Sequence, residues 1–259
     1  MDEIKLTIGI ITFRQRKELI RELIAQIRSS VPNSVDIILA INGNNEEDMP
    51  EEYRQDMLDL AKQYVGIYPI FCPEFKSICK LFNTFIIFSK TEHVFIMGDD
   101  VEYGNANAYD IIIEHIEKTK QEFFKINNGF SHFVCTKSIM HKLGYFDERL
   151  CGFGEEDGDI LHRYIRMTGS WIPSITIPSI YNKAAYHLKN ERIENHQDNK
   201  PRFNREFAKL AYVESPDGIC GMNPTPIKKV IPDYQQYPYE EFVQKNKHNI
   251  AKFEKVVLD

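Results

Sequence analysis

The first hundred residues alternate between two kinds of apolar pattern, and this alternation limits the chain to few architectures. Leu6–Ile11, Val35–Ile41, Gly66–Phe71 and His93–Met97 are short runs rich in β-branched and aromatic residues, with the length and composition of buried strands. Between them, Leu19, Ile20, Leu23, Ile24 and Ile27 recur at helical spacing within Lys17–Ser30. A second helix is predicted to run to about Tyr64. It is opened by a capping box of Asp48 and Glu51 around Pro50. Ile78, Leu81, Phe82, Phe85 and Ile86 mark a third helix, Ser77–Ser89. Strands alternating with helices imply right-handed crossovers and a doubly wound, mostly parallel sheet with helices on both faces, an α/β fold. The polar loops after Ile11, Ile41 and Met97 then open on one sheet edge, where ligands bind in such folds.

The stretch His93–Val101 carries the sharpest chemical signal. A buried strand ends in Gly98-Asp99-Asp100. A carboxylate pair there is poorly placed for packing and well placed to hold a divalent cation. A second acidic run, Glu155-Glu156-Asp157-Gly158-Asp159, opens a helix predicted to continue to Thr168 and to close at Gly169. Carboxylates in a first helical turn are also favoured by unpaired N–H groups and the helix dipole. Arg163 is placed to pair with Asp159 across one turn.

Beyond Val101 the alternation gives way. Helices are predicted at Ala106–Ile116 and Lys137–Leu143, the latter stopped by Gly144, and a strand at Phe130–Val134. Pro173 and Pro178 exclude a central strand across Trp171–Ile180. A late helix is expected at Phe203–Tyr212. Pro, Gly and polar residues dominate from Ser215, so an irregular arm followed by a terminal helix, Glu240–Val257, is expected.

Composition narrows the function. A chain of 259 residues with net charge -6 and no basic patch does not suit nucleic acid. Five cysteines, an odd number with no C-x-x-C pair, argue against a disulfide framework and a thiolate zinc site. No apolar run is long enough to span a bilayer, and the N-terminus lacks the features of a signal peptide. A cytoplasmic protein is expected, with room for peripheral contact at the inner face of a membrane. Neither G-x-G-x-x-G nor G-x-x-x-x-G-K-[ST] occurs, which disfavours a dinucleotide fold or a P-loop enzyme.

The order of these motifs resembles glycosyltransferase family 2, with the GT-A fold, from Leu6 to about Tyr212. Thr12-Phe13-Arg14 is similar to the family's opening strand end. Asn42-Gly43 stands where the family usually has an Asp against the uracil ring. Asn83 matches an Asn of the family. Gly98-Asp99-Asp100 stands where the family has Asp-x-Asp, with its first Asp replaced. Leu143 to Glu148 resembles a Gly-Gly-Phe-Asp-Glu segment. Gly154 to Arg163 resembles a Glu-Asp-x-Asp-Leu-x-x-Arg segment, the most specific match in the chain.

The resemblance implies a catalytic domain at 1–213, with a nucleotide-sugar half at 1–103 and an acceptor half at 104–213. A C-terminal extension follows at 214–259. It implies an inverting transfer from a nucleotide-diphosphate donor, a UDP-sugar first, to a hydroxyl of a saccharide or lipid-linked saccharide, as in surface polysaccharide synthesis. Thr12, Arg14, Arg16, Asn42, Asn83 and Asp99 would contact the donor, with Asp99 at the ribose or behind it. Asp100 and His187 would hold Mn or Mg. Asp157 would be the general base, with Glu156 as the alternative. Glu155 and Trp171 would face the acceptor, although a lone tryptophan fits a core equally well. A nucleotidyltransferase and a non-catalytic sugar-binding relative are the rival readings. The first is disfavoured because Thr12–Arg16 lacks glycine; the second is motivated by Gly98 and Asn42.

Overall fold

The computed structural model describes residues 4–43, 49–73, 76–104, 107–148 and 156–183. Asp48, Cys151, Glu155, His187, the late helix, the arm and the terminal helix lie outside the described residues. The described chain forms two compact units that interleave in sequence. One takes the residues up to Lys76, Thr84–Lys137 and those from Pro173 onward; the other takes Ser77–Asn83 and Ser138–Ile172.

The first unit is built on a seven-stranded mixed sheet. Its strands are β1 (Leu6–Phe13), β2 (Ile37–Asn42), β3 (Ile67–Cys72), β4 (His93–Gly98), β6 (Phe123–Ile126), β7 (Gly129–Thr136) and β8 (Ser174–Ile175), while β5 (Val101–Tyr103) and β9 (Ile180–Asn182) pair separately. The order is β3-β2-β1-β4-β7-β6-β8. Strands β3, β2, β1 and β4 are mutually parallel, as the alternation requires, and β7 joins β4 antiparallel. Every residue of β1 is buried, as expected of a strand covered on both faces.

One sheet face packs Leu6, Ile8, Ile10, Leu39, Ile41, Phe95 and Met97 against α1 (Lys17–Ser30), α2 (Glu51–Gln63) and α4 (Ala108–Thr119). The apolar residues of α1 recur at helical spacing because they form this seam. Burying Ile20, Leu23, Ile24 and Ile27 contributes about 1.5–3 kcal/mol each. On the other face the Phe85 ring of α3 (Ile78–Phe88) lies so near Gly9 that a Cβ there would sit 2.5 Å from it.

Register sets the functional edge. Phe13 pairs with Asn42 and Ile11 with Gly98, so β1, β2 and β4 finish nearly level. Because β7 runs the other way, its beginning lies at the same edge, with His132 opposite Met97.

The sequence marks no strand at 123–126. Its signal was the Asn127-Asn128 pair before Gly129, both residues left-handed at φ 52° and 61°, which closes a tight β6–β7 hairpin. Helix α2 opens from Pro50, whose own side chain gives no cap; Asp48 of the expected capping box lies outside the described residues. Glu51 and Glu52 supply its first-turn charge.

In the second unit, α5 (Lys137–Leu143) ends in Gly144 and Tyr145, both left-handed, with the Tyr145 N–H returning to the Met140 carbonyl at 2.9 Å. Helix α6 (Glu156–Thr168) starts on the acidic run. No helix among the described residues is long and apolar enough to cross a membrane.

Candidate functional site

At the level strand edge, Asp99 is the central group. It is 1% exposed, and Arg16 Nη1 donates to its Oδ1 at 2.6 Å. Arg16 reaches it because β1 gives way to a 3-10 turn, Arg14–Arg16, before α1 begins. Asp99 Oδ2 has no hydrogen-bond partner. Burial pushes the Asp99 carboxyl up to about 6, although Arg16 pulls the other way. Desolvation therefore outweighs the ion pair, the usual balance for a charge taken fully out of water.

Thr12 Oγ1 and Tyr53 Oη are among the other buried polar atoms of this unit without a hydrogen-bond partner. The Thr12 hydroxyl favours the ionised Asp99 but does not sit at bonding geometry. Tyr53 reaches the edge from α2. Burial raises its phenol well above the ordinary value, with the Asp99 charge adding to the rise and Arg14 opposing it. Each unmet buried group costs about 1–3 kcal/mol.

Asp100 is half-buried, and its carbonyl accepts the Lys183 N–H at 2.7 Å. Its carboxylate folds back over Gly98: a Cβ on that residue would lie 2.7 Å from Asp100 Oδ1. Gly98 therefore does more than omit a carboxylate. Its bare Cα is the space that the neighbouring carboxylate fills.

Asn42 turns its amide to the backbone. Nδ2 donates to the Lys76 carbonyl and Oδ1 accepts the Lys76 N–H, both at 2.9 Å, so the side chain clamps the loop before α3. Arg14 is exposed on the 3-10 turn.

In the second unit, Asn83 is also a clamp. It donates to the Phe146 carbonyl at 2.9 Å and to Glu148 at 3.1 Å, and accepts the Phe146 N–H at 2.9 Å. Arg163 pairs with Asp159 in a buried ion pair, and its Nη1 donates to the carbonyls of Leu143 and Tyr145 at 2.5 Å each. Those bonds tie α6 to the turn after α5. Asp157, in the first turn of α6, is exposed, and its Oδ1 accepts the Gly158 N–H at 2.8 Å. Glu156 is half-buried beside it. Trp171 is 52% exposed, which excludes the core alternative.

No family model and no curated protein matches the chain. Solved structures do. Residues 1–349 of S. aureus TarS match with a TM-score of 0.53 and 12% identity, over 69% of this chain and 60% of that one. The same TarS fragment in complex with UDP-GlcNAc matches at 0.54 and 11%, over 72% and 61%. The mannosyltransferase PcManGT from Pyrobaculum calidifontis, in complex with GDP-Man and Mn2+, matches at 0.54 and 12%, over 67% and 55%. The fold is GT-A. This chain thus spans 55–61% of the length of these neighbours.

In the unit built on this sheet the structure adds two residues the sequence did not single out. Tyr53 is one. His132 is the other: it is buried at the start of β7, its Nδ1 meets Ser131 Oγ at 2.9 Å, and its Nε2 makes no bond of hydrogen-bonding geometry. Burial lowers its pKa, against the opposing pull of Asp100 and of the nearby Asn182 side chain. No cluster of three or more His, Cys, Asp or Glu side chains that could hold a metal occurs among the described residues. The neighbourhood of Asp100 and His132 offers one carboxylate and one neutral imidazole, a donor pair that suits a divalent cation whose other positions are filled by phosphate oxygens.

Proposed function

We propose that this chain is a metal-dependent, inverting glycosyltransferase that moves a sugar from a nucleotide-diphosphate donor, a UDP-sugar first, to a hydroxyl of a saccharide acceptor. The observation that carries this is the level strand edge of a GT-A sheet, where a buried Asp99–Arg16 pair keeps one carboxylate oxygen unmet beside Asp100. Neighbours of the same fold bound to UDP-GlcNAc, or to GDP-Man with Mn2+, support the donor class and the cation.

Each side chain has a chemical task. Asp99 Oδ2 accepts a hydroxyl of the ribose, and Thr12 lies beside it. Arg14 and Arg16 bring positive charge to the diphosphate; Asn42 and Asn83 hold the loops that frame donor and acceptor. Asp100 and His187, with His132, would hold Mn or Mg. When bound, that cation offsets the charge that grows on the departing diphosphate. Asp157 takes the proton of the acceptor hydroxyl, and the Gly158 N–H holds its Oδ1 in one orientation. Glu156 is the neighbouring alternative. Attack opposite the leaving group inverts the anomeric carbon. Trp171 presents an exposed ring suited to a sugar face, and Glu155 is the second acceptor contact. A saccharide or lipid-linked acceptor at the inner face of a membrane fits an enzyme of surface polysaccharide synthesis.

The test is incubation with UDP-GlcNAc, UDP-glucose and GDP-mannose, with Mn, Mg or EDTA, reading release of nucleoside diphosphate. Metal-dependent release that Asp157→Asn lowers by about 10²–10⁴-fold supports the assignment. Pyrophosphate released from a nucleoside triphosphate would instead mark a nucleotidyltransferase. Binding without turnover would mark a sugar-binding relative, which the replacements at Gly98 and Asn42 favour.

A further inference from the structure

Tyr53 is the third residue of α2, on a helix to which the sequence assigns no chemistry. Its ring belongs to the core that includes Met57, Leu60, Ile41 and Met97. Packing alone would be served as well by phenylalanine, which would spare the chain a buried hydroxyl. Yet Tyr53 Oη is buried and has no hydrogen-bond partner. The residue is 4% exposed. Asp99 Oδ2 and Thr12 Oγ1 are unmet in the same unit, and both stand at the strand edge.

The chemistry of the three atoms restricts what satisfies them. An ionised carboxylate only accepts hydrogen bonds; a phenol and an aliphatic hydroxyl can each donate and accept. The occupant must therefore offer at least one donor together with groups of either kind. A fully ionised phosphate offers acceptors alone and is repelled by Asp99. A nucleoside, with its vicinal hydroxyls and the mixed edge of its base, meets all three requirements.

We propose that the Tyr53 hydroxyl recognises the nucleoside of the sugar donor, directly and together with Asp99 and Thr12. This rests on the nucleotide-sugar role proposed above and adds a residue to it.

The experiment is titration calorimetry of the full chain and of Tyr53→Phe with UDP, GDP and inorganic pyrophosphate, in Mn, paired with thermal melting without ligand. A group held for a ligand gives a distinctive pattern. Tyr53→Phe melts no lower than the parent, binds the preferred nucleotide about tenfold more weakly, and binds pyrophosphate unchanged. Thr12→Val, which likewise removes one hydroxyl, shows the same pattern and serves if Tyr53→Phe folds poorly. Unchanged nucleotide affinity in Tyr53→Phe overturns the proposal. So does a lower melting temperature with affinity intact, which would mean the hydroxyl bonds a buried water and stabilises the fold. If the parent chain binds neither UDP nor GDP, the donor role fails and this inference with it. If the parent binds and Tyr53→Phe binds equally well, only this inference fails.

Discussion

Replacing Asp99 with asparagine should make the free protein more stable at neutral pH, although it breaks an ion pair. In the unfolded chain this carboxyl titrates near 3.8; in the fold, burial moves it to about 6 despite Arg16. Between those values the folded chain keeps the proton and the unfolded chain releases it. The contribution of Asp99 to stability therefore falls as pH rises, and the full penalty, about 3 kcal/mol, is in place by about pH 7. Asparagine keeps the shape of the neutral acid at every pH. Arg16, 20% exposed, can be solvated when its partner is neutral. Asp99→Asn should thus gain about 3 kcal/mol at pH 7.5, roughly 6–12 °C in melting temperature. The gain should shrink to about 1 kcal/mol at pH 4.5. Urea unfolding of both proteins in paired buffers measures this, because subtraction cancels every other carboxylate. A variant less stable than the parent at pH 7.5, or a difference that does not change with pH, would refute the reasoning. Saturating nucleotide should narrow the gap, since a donor to Oδ2 favours the ionised parent.

Other perturbations follow from particular contacts. Gly98→Asp, which adds a carboxylate ahead of Asp99, should not raise activity: its Cβ would meet Asp100 Oδ1 at 2.7 Å and displace that carboxylate. Metal titrations of turnover should show the requirement rising about 10–100-fold, and Gly98→Ala should behave alike. Arg163→Met removes a buried guanidinium from Asp159 and its two hydrogen bonds to the carbonyls of Leu143 and Tyr145. Chemical denaturation should read a loss of about 3–5 kcal/mol. Gly9→Ala drives a methyl into the Phe85 ring and should cost about 1–3 kcal/mol. Adding Phe85→Leu should recover part of that loss if the clash is the cause.

Much of the fold was legible because its core elements are long and strongly periodic. Lys17–Ser30 and Lys137–Leu143 form helices over those residues, the first four strands are parallel as the alternation implied, and Arg163 does pair with Asp159. What escaped were short elements whose identity comes from partners. Strand β5 has three residues and is defined by β9, which lies far along the chain. The site divided in the same way. Asp99 and Arg16 could be suspected from strand ends. Asn42 and Asn83, picked for their place in a motif, owe their contacts to residues 34 and 63 positions away. His132 depends on which strand lies beside β4 and in what direction. Tyr53 reads in sequence as one more core position beside Met57 and Leu60, and only its unmet hydroxyl sets it apart.

The Asn42 clamp bears on how such a chain can change over generations. An amide gives one bond to the Lys76 carbonyl and takes one from the Lys76 N–H. A carboxylate can only take, so aspartate at this position would set two oxygens against each other at the mouth of α3. Aspartate there becomes tolerable only once position 76 or its loop has moved, so two substitutions that are each small are tied to an order.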